Sequence, residues 1–340
     1  MEDDAARADL FSGLKNELSE VQSGVHRGAM ESEARFVIRS LADRERIDLV
    51  GDVALPWAVA VLTKMSGASG SCPADMMRIA ASLLYEKAFG LHLEEGAKPL
   101  WLRNAGPEAK SENPERELEL LIERRELAIS KVMFFALTQS LTVYLAKSWL
   151  ALISNSDQMA WLAEEPDRFQ RAGTELLRYS GIVRSLFRKA TEDVRIGTAR
   201  IGKGELVELK IAAANFDCQR FLNPAQLDIS RSVKLQLSLG AGLHTCPGSS
   251  LVRQAFAVVT SALLRAKPKL IPNQRIEWMG DSTLRWPLAV WVSWGRGVGD
   301  EASFSHEMQV NNAAQTRECQ VAEKTVANEG NDRMNNLASF

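Results

Sequence analysis

Apolar residues recur with helical spacing along most of the chain, and this pattern predicts a mainly helical protein. The longest such run covers 128–154. At 1.5 Å per residue it predicts a helix of roughly 40 Å, which must pass through the middle of the molecule. Shorter runs predict further helices at 10–21, 33–41, 74–89, 168–179 and 251–265.

Polar side chains interrupt the most apolar part of the long helix, 132–153. They are Thr138, Gln139, Ser140 and Lys147. A membrane-spanning helix needs a stretch of about 18 residues with few or no charges, and this run falls short of it. We therefore expect a buried central helix and no association with a membrane.

Two other regions differ in pattern from the helices. Glycines divide 194–210 into short runs that predict strands. From residue 295 onward polar residues dominate and the periodicity fades, which is typical of a disordered tail. The expected fold class is mainly α with small β-sheets (α+β), as a single domain over 1–295 followed by a polar tail over 296–340.

Composition narrows the function classes. The 340 residues are 46% hydrophobic, enough for a large core, and the formal net charge of −2 offers no basic field for nucleic acid. Four widely spaced cysteines form no metal-type pair and no disulfide framework. With no signal peptide visible, we expect a cytoplasmic protein.

The loop at 238–248 carries the candidate chemistry, because it combines glycines with His244 and Cys246 just before a predicted helix. The glycines are Gly240, Gly242 and Gly248. Glycine lets a flat ligand approach the backbone, and a helix start favours a thiolate over a thiol. A thiolate aimed at a planar ligand indicates an axial ligand to haem iron.

Other interpretations of this loop are weaker. A single cysteine is more often an inert buried residue. A dinucleotide-binding loop would need a glycine where Thr245 stands. The Cys-x-x-Cys-His sequence of c-type haem attachment is absent from the chain.

The loop resembles the haem-binding loop of the cytochrome P-450 family, whose pattern is Phe-Gly-x-Gly-x-His-x-Cys-x-Gly. Leu239 stands in place of the Phe. The resemblance, of bacterial type, implies haem b (iron protoporphyrin IX) with Cys246 as the iron ligand. It further implies that Arg188 and His244 contact the haem propionates, a role suited to a bidentate guanidinium.

A second motif is Glu175-Leu-Leu-Arg178. At a spacing of three residues the two charges share one helix face and can pair. The family carries a Glu-x-x-Arg at this place, which helps to hold the fold on the cysteine side of the haem. The resemblance therefore implies a structural role for this pair.

The resemblance also reveals two departures. Family members are usually longer at the amino end, and their propionate-binding His and Arg align here with Phe11 and Lys15, of which only Lys15 can supply a charge. In the long helix, the family's Ala-Gly-x-(Asp/Glu)-Thr run aligns with Ala136, Leu137, Thr138, Gln139 and Ser140.

The second departure bears on proton delivery to bound dioxygen. Gln139 takes the place of the acid and cannot relay a proton as a carboxylate does, while Ser140 keeps an alcohol. If the alignment is shifted by one residue, Thr138 or Thr142 provides the alcohol instead of Ser140.

The resemblance implies a monooxygenase acting on a small hydrophobic metabolite, in secondary metabolism such as terpenoid or polyketide synthesis, with electrons from a ferredoxin-type partner. Basic residues after the cysteine loop either help to dock that partner or are simply solvated. They are Arg253, Arg265, Lys267 and Lys269. Two alternatives remain: a peroxide-driven or rearranging haem-thiolate enzyme, and a non-catalytic haem-binding relative.

Overall fold

The computed structural model describes residues 25–65, 131–233, 235–242, 245–280 and 285–294, and many more of them lie in helices than in strands. The helices are α1 (Val25–Ser40), α2 (Leu55–Met65), α3 (Lys131–Ile153), α4 (Ser156–Glu164), α5 (Arg168–Tyr179), α6 (Ile211–Asn215) and α7 (Ser249–Leu264). The strands are β1 (Ile47–Asp48), β2 (Leu186–Lys189), β3 (Val194–Ile196), β4 (Ala199–Ile201), β5 (Leu206–Leu209), β6 (Pro268–Leu270), β7 (Trp278–Gly280), β8 (Arg285–Pro287) and β9 (Trp291–Trp294).

Helix α3 is the centre of the described core. Trp149 and Tyr144 on this helix are almost fully buried. The Trp149 indole donates to Thr260 Oγ1 on α7 at 2.9 Å, and the Tyr144 hydroxyl donates to the Gly173 carbonyl on α5 at 2.8 Å. Both polar tips are thus satisfied without leaving the core, as burial of such side chains requires. These contacts join α3 to α5 and α7.

A π-helix, Leu49–Ala54, connects β1 to α2. Asp48 caps it, because its carboxylate accepts hydrogen bonds from the N–H groups of Val50 and Gly51. Helix α2 then packs against α1 and α3, and the Trp57 indole donates to the Met30 carbonyl at 3.1 Å.

The sheets in the described residues are small and antiparallel. Strands β1, β9 and β6 form one sheet in the order β1-β9-β6, and the remaining strands pair as β2 with β5, β3 with β4 and β7 with β8. The β1–β9 register places Ile47 opposite Val292. The described part of the chain is thus rich in helices with small sheets, and the α+β fold class predicted from the sequence is confirmed.

Most predicted elements that fall on described residues are present. Helix α5 has the predicted bounds, and α3 lies within the predicted run. One detail was wrong, because α7 begins at Ser249 rather than at 251.

Several predictions fall outside the described residues. They are the helices at 10–21 and 74–89 and the polar tail over 296–340. Within the described part of the chain, none of the helices has the length and apolarity that crossing a bilayer requires.

Candidate functional site

The cysteine loop is closed by backbone hydrogen bonds. The N–H of Cys246 donates to the Leu239 carbonyl at 2.7 Å, and the N–H of Gly240 donates to the Leu237 carbonyl at 2.9 Å. Gly240 and Gly242 have φ of 72° and 60°, a left-handed conformation that side chains disfavour. A Cβ on Gly242 would meet no atom within 4 Å, so the glycine is required by conformation and leaves open space beside the loop.

Cys246 lies directly before α7, with its carbonyl accepting from Ser249 N–H at 3.2 Å. The side chain is half-buried rather than enclosed in the core. Burial raises the pKa of its thiol, although a hydrogen bond from the Gly248 backbone and the charge of Arg253 act to lower it. Burial is thus the largest influence on the thiol, while the Gly248 backbone and Arg253 favour the thiolate that the sequence predicts. A coordinated metal ion would deprotonate the thiol.

Within residues 137–152 of α3 the side chains are buried except those of Gln139, Ser140 and Lys147, which are half-buried. At 100° per residue these three lie on one stripe of the helix. Thr138 and Thr142 are buried instead, and Thr142 Oγ1 donates to the Thr138 carbonyl at 2.7 Å. The more open stripe of the helix thus carries Gln139 and Ser140, which supports the unshifted register.

Glu175 and Arg178 form a doubly hydrogen-bonded ion pair with no exposed side-chain surface. Arg178 Nε and Nη2 each donate to one carboxylate oxygen at 2.7 Å. Arg178 Nη1 donates to the carbonyls of Asn215 and Pro224, and Arg231 Nε reaches Glu175 Oε1 at 3.1 Å. The pair therefore joins α5 to the segment that precedes the cysteine loop, which is a structural arrangement.

Asn215 and Ser238 hold the start of the cysteine loop, and the sequence did not indicate this function. The Asn215 side chain accepts from Leu237 N–H and donates to Ser238 Oγ, both at 2.8 Å. Ser238 Oγ in turn donates to the Leu177 carbonyl at 2.5 Å at the end of α5. Asn215 ends the short helix α6 and is buried, and an amide at the end of an apolar helix is the signal that could have marked it.

Of the remaining predicted site residues, Arg188 and Ala136 lie on described elements and two others do not. Arg188 lies on β2 with an exposed side chain, and its Nη1 donates to the neighbouring Phe187 carbonyl at 2.9 Å. Ala136 lies on α3. Lys15 and His244 fall outside the described residues.

Comparison with known proteins found bacterial cytochromes P-450. The chain is 37% identical over 153 residues to cytochrome P-450-SU2 of Streptomyces griseolus, which covers 44% of this chain and 38% of that protein. It is 28% identical over 243 residues to cytochrome P-450 107B1 of Saccharopolyspora erythraea, covering 68% of this chain and 60% of that protein. The chain thus matches less than two thirds of the length of either relative.

Solved structures with the same fold include P-450 BioI in complex with hexadec-9Z-enoic acid ligated acyl carrier protein. Its TM-score is 0.68 at 22% identity, covering 84% of this chain and 78% of that one. The cytochrome P-450 PksS of the Bacillus subtilis bacillaene polyketide synthase gives 0.68 at 21% identity, covering 85% and 79%.

No family model matches the chain. The likeness therefore depends on the individual relatives and on the fold of the solved structures. Over the lengths compared the chain is similar to bacterial cytochromes P-450, and it shares the fold of the solved cytochrome P-450 structures.

Proposed function

We propose that the protein is a haem-thiolate monooxygenase, and the observation that carries this proposal is the half-buried Cys246 at the end of a glycine-cleared loop. Cysteines that only fill a core are enclosed by apolar side chains. Cys246 instead precedes the start of α7 with open space beside Gly242 in the same loop. This arrangement fits a planar cofactor whose metal ion Cys246 would bind through sulfur.

The residues present fit haem b. Cys246 would supply the sulfur ligand to the iron, and the exposed guanidinium of Arg188 would bind a propionate. His244 and Lys15 are the further propionate ligands that the family resemblance implies. Thiolate-bound haem supplies the redox chemistry that cleaves the bond of dioxygen.

Gln139 and Ser140 are the residues that would take part in proton transfer on the oxygen-binding side of the haem. The Ser140 hydroxyl both donates and accepts, so it can pass a proton between water molecules. The Gln139 amide can orient a water molecule but cannot release a proton to it. Because both side chains are half-buried on one stripe of α3, water can reach them.

The proposed reaction inserts one atom of dioxygen into a C–H bond of a small hydrophobic metabolite. The second oxygen atom leaves as water, with two electrons from a ferredoxin-type donor and two protons from solvent. Relatives named nocardicin C N-oxygenase and pentalenic acid synthase support a place in secondary metabolism. Arg265, Lys267 and Lys269 are exposed after α7 and would attract an acidic redox protein. We expect the protein to act in the cytoplasm.

A peroxide-driven reaction is the second candidate, and Gln139 in place of an acid favours it. Peroxide brings both the electrons and the protons, so that the substrate gains one oxygen and water leaves. Such a reaction depends less on a proton-relaying carboxylate.

The test of the haem-thiolate assignment is the spectrum of the reduced protein with carbon monoxide. The Cys246→Ala variant should lose the red-shifted carbon monoxide band that thiolate-bound haem gives. Cys218→Ala is the matched control, since Cys218 is also a half-buried cysteine without a disulfide, and it should keep the band. A band that survives Cys246→Ala would refute the assignment of the ligand.

A further inference from the structure

A single hydrogen bond from Lys147 joins the central helix α3 to the end of α5. Lys147 Nζ donates to the Gly181 carbonyl at 2.6 Å, two residues beyond Tyr179, where α5 ends. A cation is favoured at this end of a helix, because the last carbonyls lack partners within the helix and the helix dipole is negative there. The neighbours of Lys147 on α3, Ala146 and Ser148, are buried, so the bond forms at the edge of the core.

Gly181 also touches the residue that anchors the cysteine loop. A Cβ at position 181 would overlap Ser238 Oγ, so the Gly181 backbone lies directly against that side chain. Ser238 Oγ donates to the Leu177 carbonyl and accepts from the Asn215 amide at 2.8 Å. The close approach needs a glycine, and the carbonyl of the same glycine is the acceptor for Lys147. One residue thus contacts both α3 and the start of the cysteine loop.

The segment 181–184 continues from Gly181 towards β2. Strand β2 carries Arg188, the proposed ligand of a haem propionate. A backbone hydrogen bond holds the other end of the segment, where the Arg184 carbonyl accepts from Ala212 N–H at 3.0 Å. A displacement of Gly181 would therefore reach both the cysteine loop and the strand with the proposed propionate ligand.

The bond at Lys147 also restrains the rotation of α3 about its own axis. The Tyr144 hydroxyl joins α3 to α5 at the Gly173 carbonyl, and Lys147 adds a second attachment beyond the end of α5. Ser140 lies seven residues before Lys147, on nearly the same side of α3 and about 10 Å away along its axis. Both side chains are half-buried. The direction in which Ser140 faces thus depends on the attachment at Lys147.

We propose that Lys147 is a positioning residue of the haem site. Through the Gly181 carbonyl it holds the cysteine loop, β2 and the side of α3 that carries Ser140 in fixed positions relative to one another. It acts through Gly181 and takes no part in the chemistry. The inference rests on the proposed function, because it concerns the geometry of the same site.

The test is the Lys147→Met variant of the full-length holoprotein, which nearly keeps the length of the side chain and loses the donor. Two spectra are compared with the wild type per mole of bound haem. The carbon monoxide spectrum of the reduced protein reports the sulfur ligand. A titration of the oxidised protein with imidazole, which binds haem iron opposite the cysteine, reports the side of α3. Lys147→Met should lower the red-shifted band about twofold or more and change the imidazole dissociation constant about threefold or more.

Arg168→Met is the matched control for the loss of the donor. Arg168 begins α5, and its Nη1 donates to the Trp161 carbonyl at 2.6 Å. The variant therefore loses the same kind of bond at the opposite end of the same helix, and it should leave both spectra unchanged. Lys147→Arg keeps a donor for the Gly181 carbonyl and should give both spectra of the wild type.

Ser238→Ala tests whether the effect passes through the anchor of the cysteine loop. This substitution removes the hydrogen bonds of Ser238 Oγ with Leu177 and Asn215. If Lys147 acts through Gly181 on Ser238, the double variant Lys147→Met/Ser238→Ala should lose no more of the red-shifted band than the more affected single variant. Independent effects would instead multiply.

Three results would overturn the inference: unchanged spectra in Lys147→Met, equal changes in Arg168→Met, or multiplied losses in the double variant. If Lys147→Met retains no haem, recovery of the haem and its red-shifted band in Lys147→Arg supports the inference, and no recovery overturns it. A wild-type protein without the red-shifted band would refute the proposed function itself. Failure of the inference alone leaves that wild-type band in place.

Discussion

The backbone N–H of Cys246 donates to the backbone carbonyl of Leu239 across the base of the cysteine loop, at 2.7 Å. Because this bond uses no side-chain atom, the loop closes with leucine at position 239 as it would with the aromatic residue of the family pattern. The substitution therefore changes the surface offered to the cofactor and leaves the placement of the sulfur intact. Packing on the haem, rather than loop geometry, is where this protein should differ from its relatives.

Gln139→Glu should raise turnover with dioxygen. A carboxylate at this half-buried position can relay protons that the amide cannot, and positioned acid–base groups typically contribute about 10²- to 10⁴-fold. We expect a rise of at least about tenfold in product formed per haem, with an unchanged rate when hydrogen peroxide is the oxidant. Gln170→Glu, an exposed glutamine on α5, is the control and should affect neither rate. No gain with dioxygen together with rapid peroxide turnover would favour the peroxide-driven alternative.

Glu175→Gln should destabilise the fold strongly. Arg178 and Glu175 have no exposed side-chain surface, so the substitution leaves a buried guanidinium without its counter-charge. Such a change costs about 3–5 kcal/mol. The measurement is the free energy of unfolding in urea. Glu164→Gln removes an exposed partner of Arg168 and should cost no more than about 1 kcal/mol. Equal losses in the two variants would contradict this account.

The contribution of Asp48 to the free energy of unfolding should increase as the pH falls from about 6 to about 4. Desolvation raises its pKa from 3.8 to about 6, against the hydrogen bonds from Val290, Val50 and Gly51. The folded state then binds the proton more tightly, so this stabilisation is complete below the unfolded pKa and is lost as the pH rises through the folded one. At 1.36 kcal/mol per pKa unit, the effect is at most about 3 kcal/mol.

Urea unfolding of wild type and Asp48→Asn across this pH range checks the prediction, because the difference between the two should change with pH in the stated direction. For Asp193→Asn we expect the opposite dependence of the free energy of unfolding on pH. A hydrogen bond from Lys203 N–H, followed by one from Arg200, lowers the pKa of Asp193, so its contribution should be lost as the pH falls. A wild-type minus Asp48→Asn difference that is independent of pH would refute the raised pKa.

Gly181→Ala should weaken the anchoring of the cysteine loop. The new Cβ would overlap Ser238 Oγ and would lie 2.7 Å from the Leu177 carbonyl, which is closer than Cβ contacts in proteins come. Ser238 Oγ cannot move away without losing its bonds to Leu177 and Asn215. We expect a loss of about 1–3 kcal/mol in the free energy of unfolding, together with lower haem content.

Gly28→Ala is the matched control for this substitution. Gly28 lies inside α1, where an added Cβ would meet no atom within 4 Å. It should therefore stabilise the protein by about 0.5–1 kcal/mol through helix propensity. A destabilising Gly28→Ala, or a neutral Gly181→Ala, would show that contacts at these glycines are not as described.

Periodicity predicted best the helices whose buried and exposed faces are clearly separated. Helix α5 alternates buried and exposed faces clearly, and its bounds were predicted. The start of α7 was placed too late because Ser249 and Ser250 are polar and carry no apolar signal. The fold itself was recognised from the cysteine loop, whose spacing of glycines and cysteine is local.

What the sequence did not reveal depends on distant partners. Lys147 stood out only as a polar interruption of an apolar run, because its acceptor at Gly181 and its neighbour Arg285 come together only in the folded chain. The same holds for Asp48, whose carboxylate accepts from Val290 N–H across 242 residues. The burial that raises the pKa of the Cys246 thiol is likewise a property of tertiary packing, which the local sequence does not show.

The pairing of β1 with β9 has a consequence for how the protein is made. Leu49 N–H donates to the Val290 carbonyl at 2.8 Å, and Ile47 pairs with Val292, so the amino-terminal layer is completed by some of the final described residues. During synthesis from the amino end, β1 leaves the ribosome long before its partner strand β9 exists. The buried side chain of Ile47 stays uncovered until then, and the binding of chaperones should be greatest in that interval.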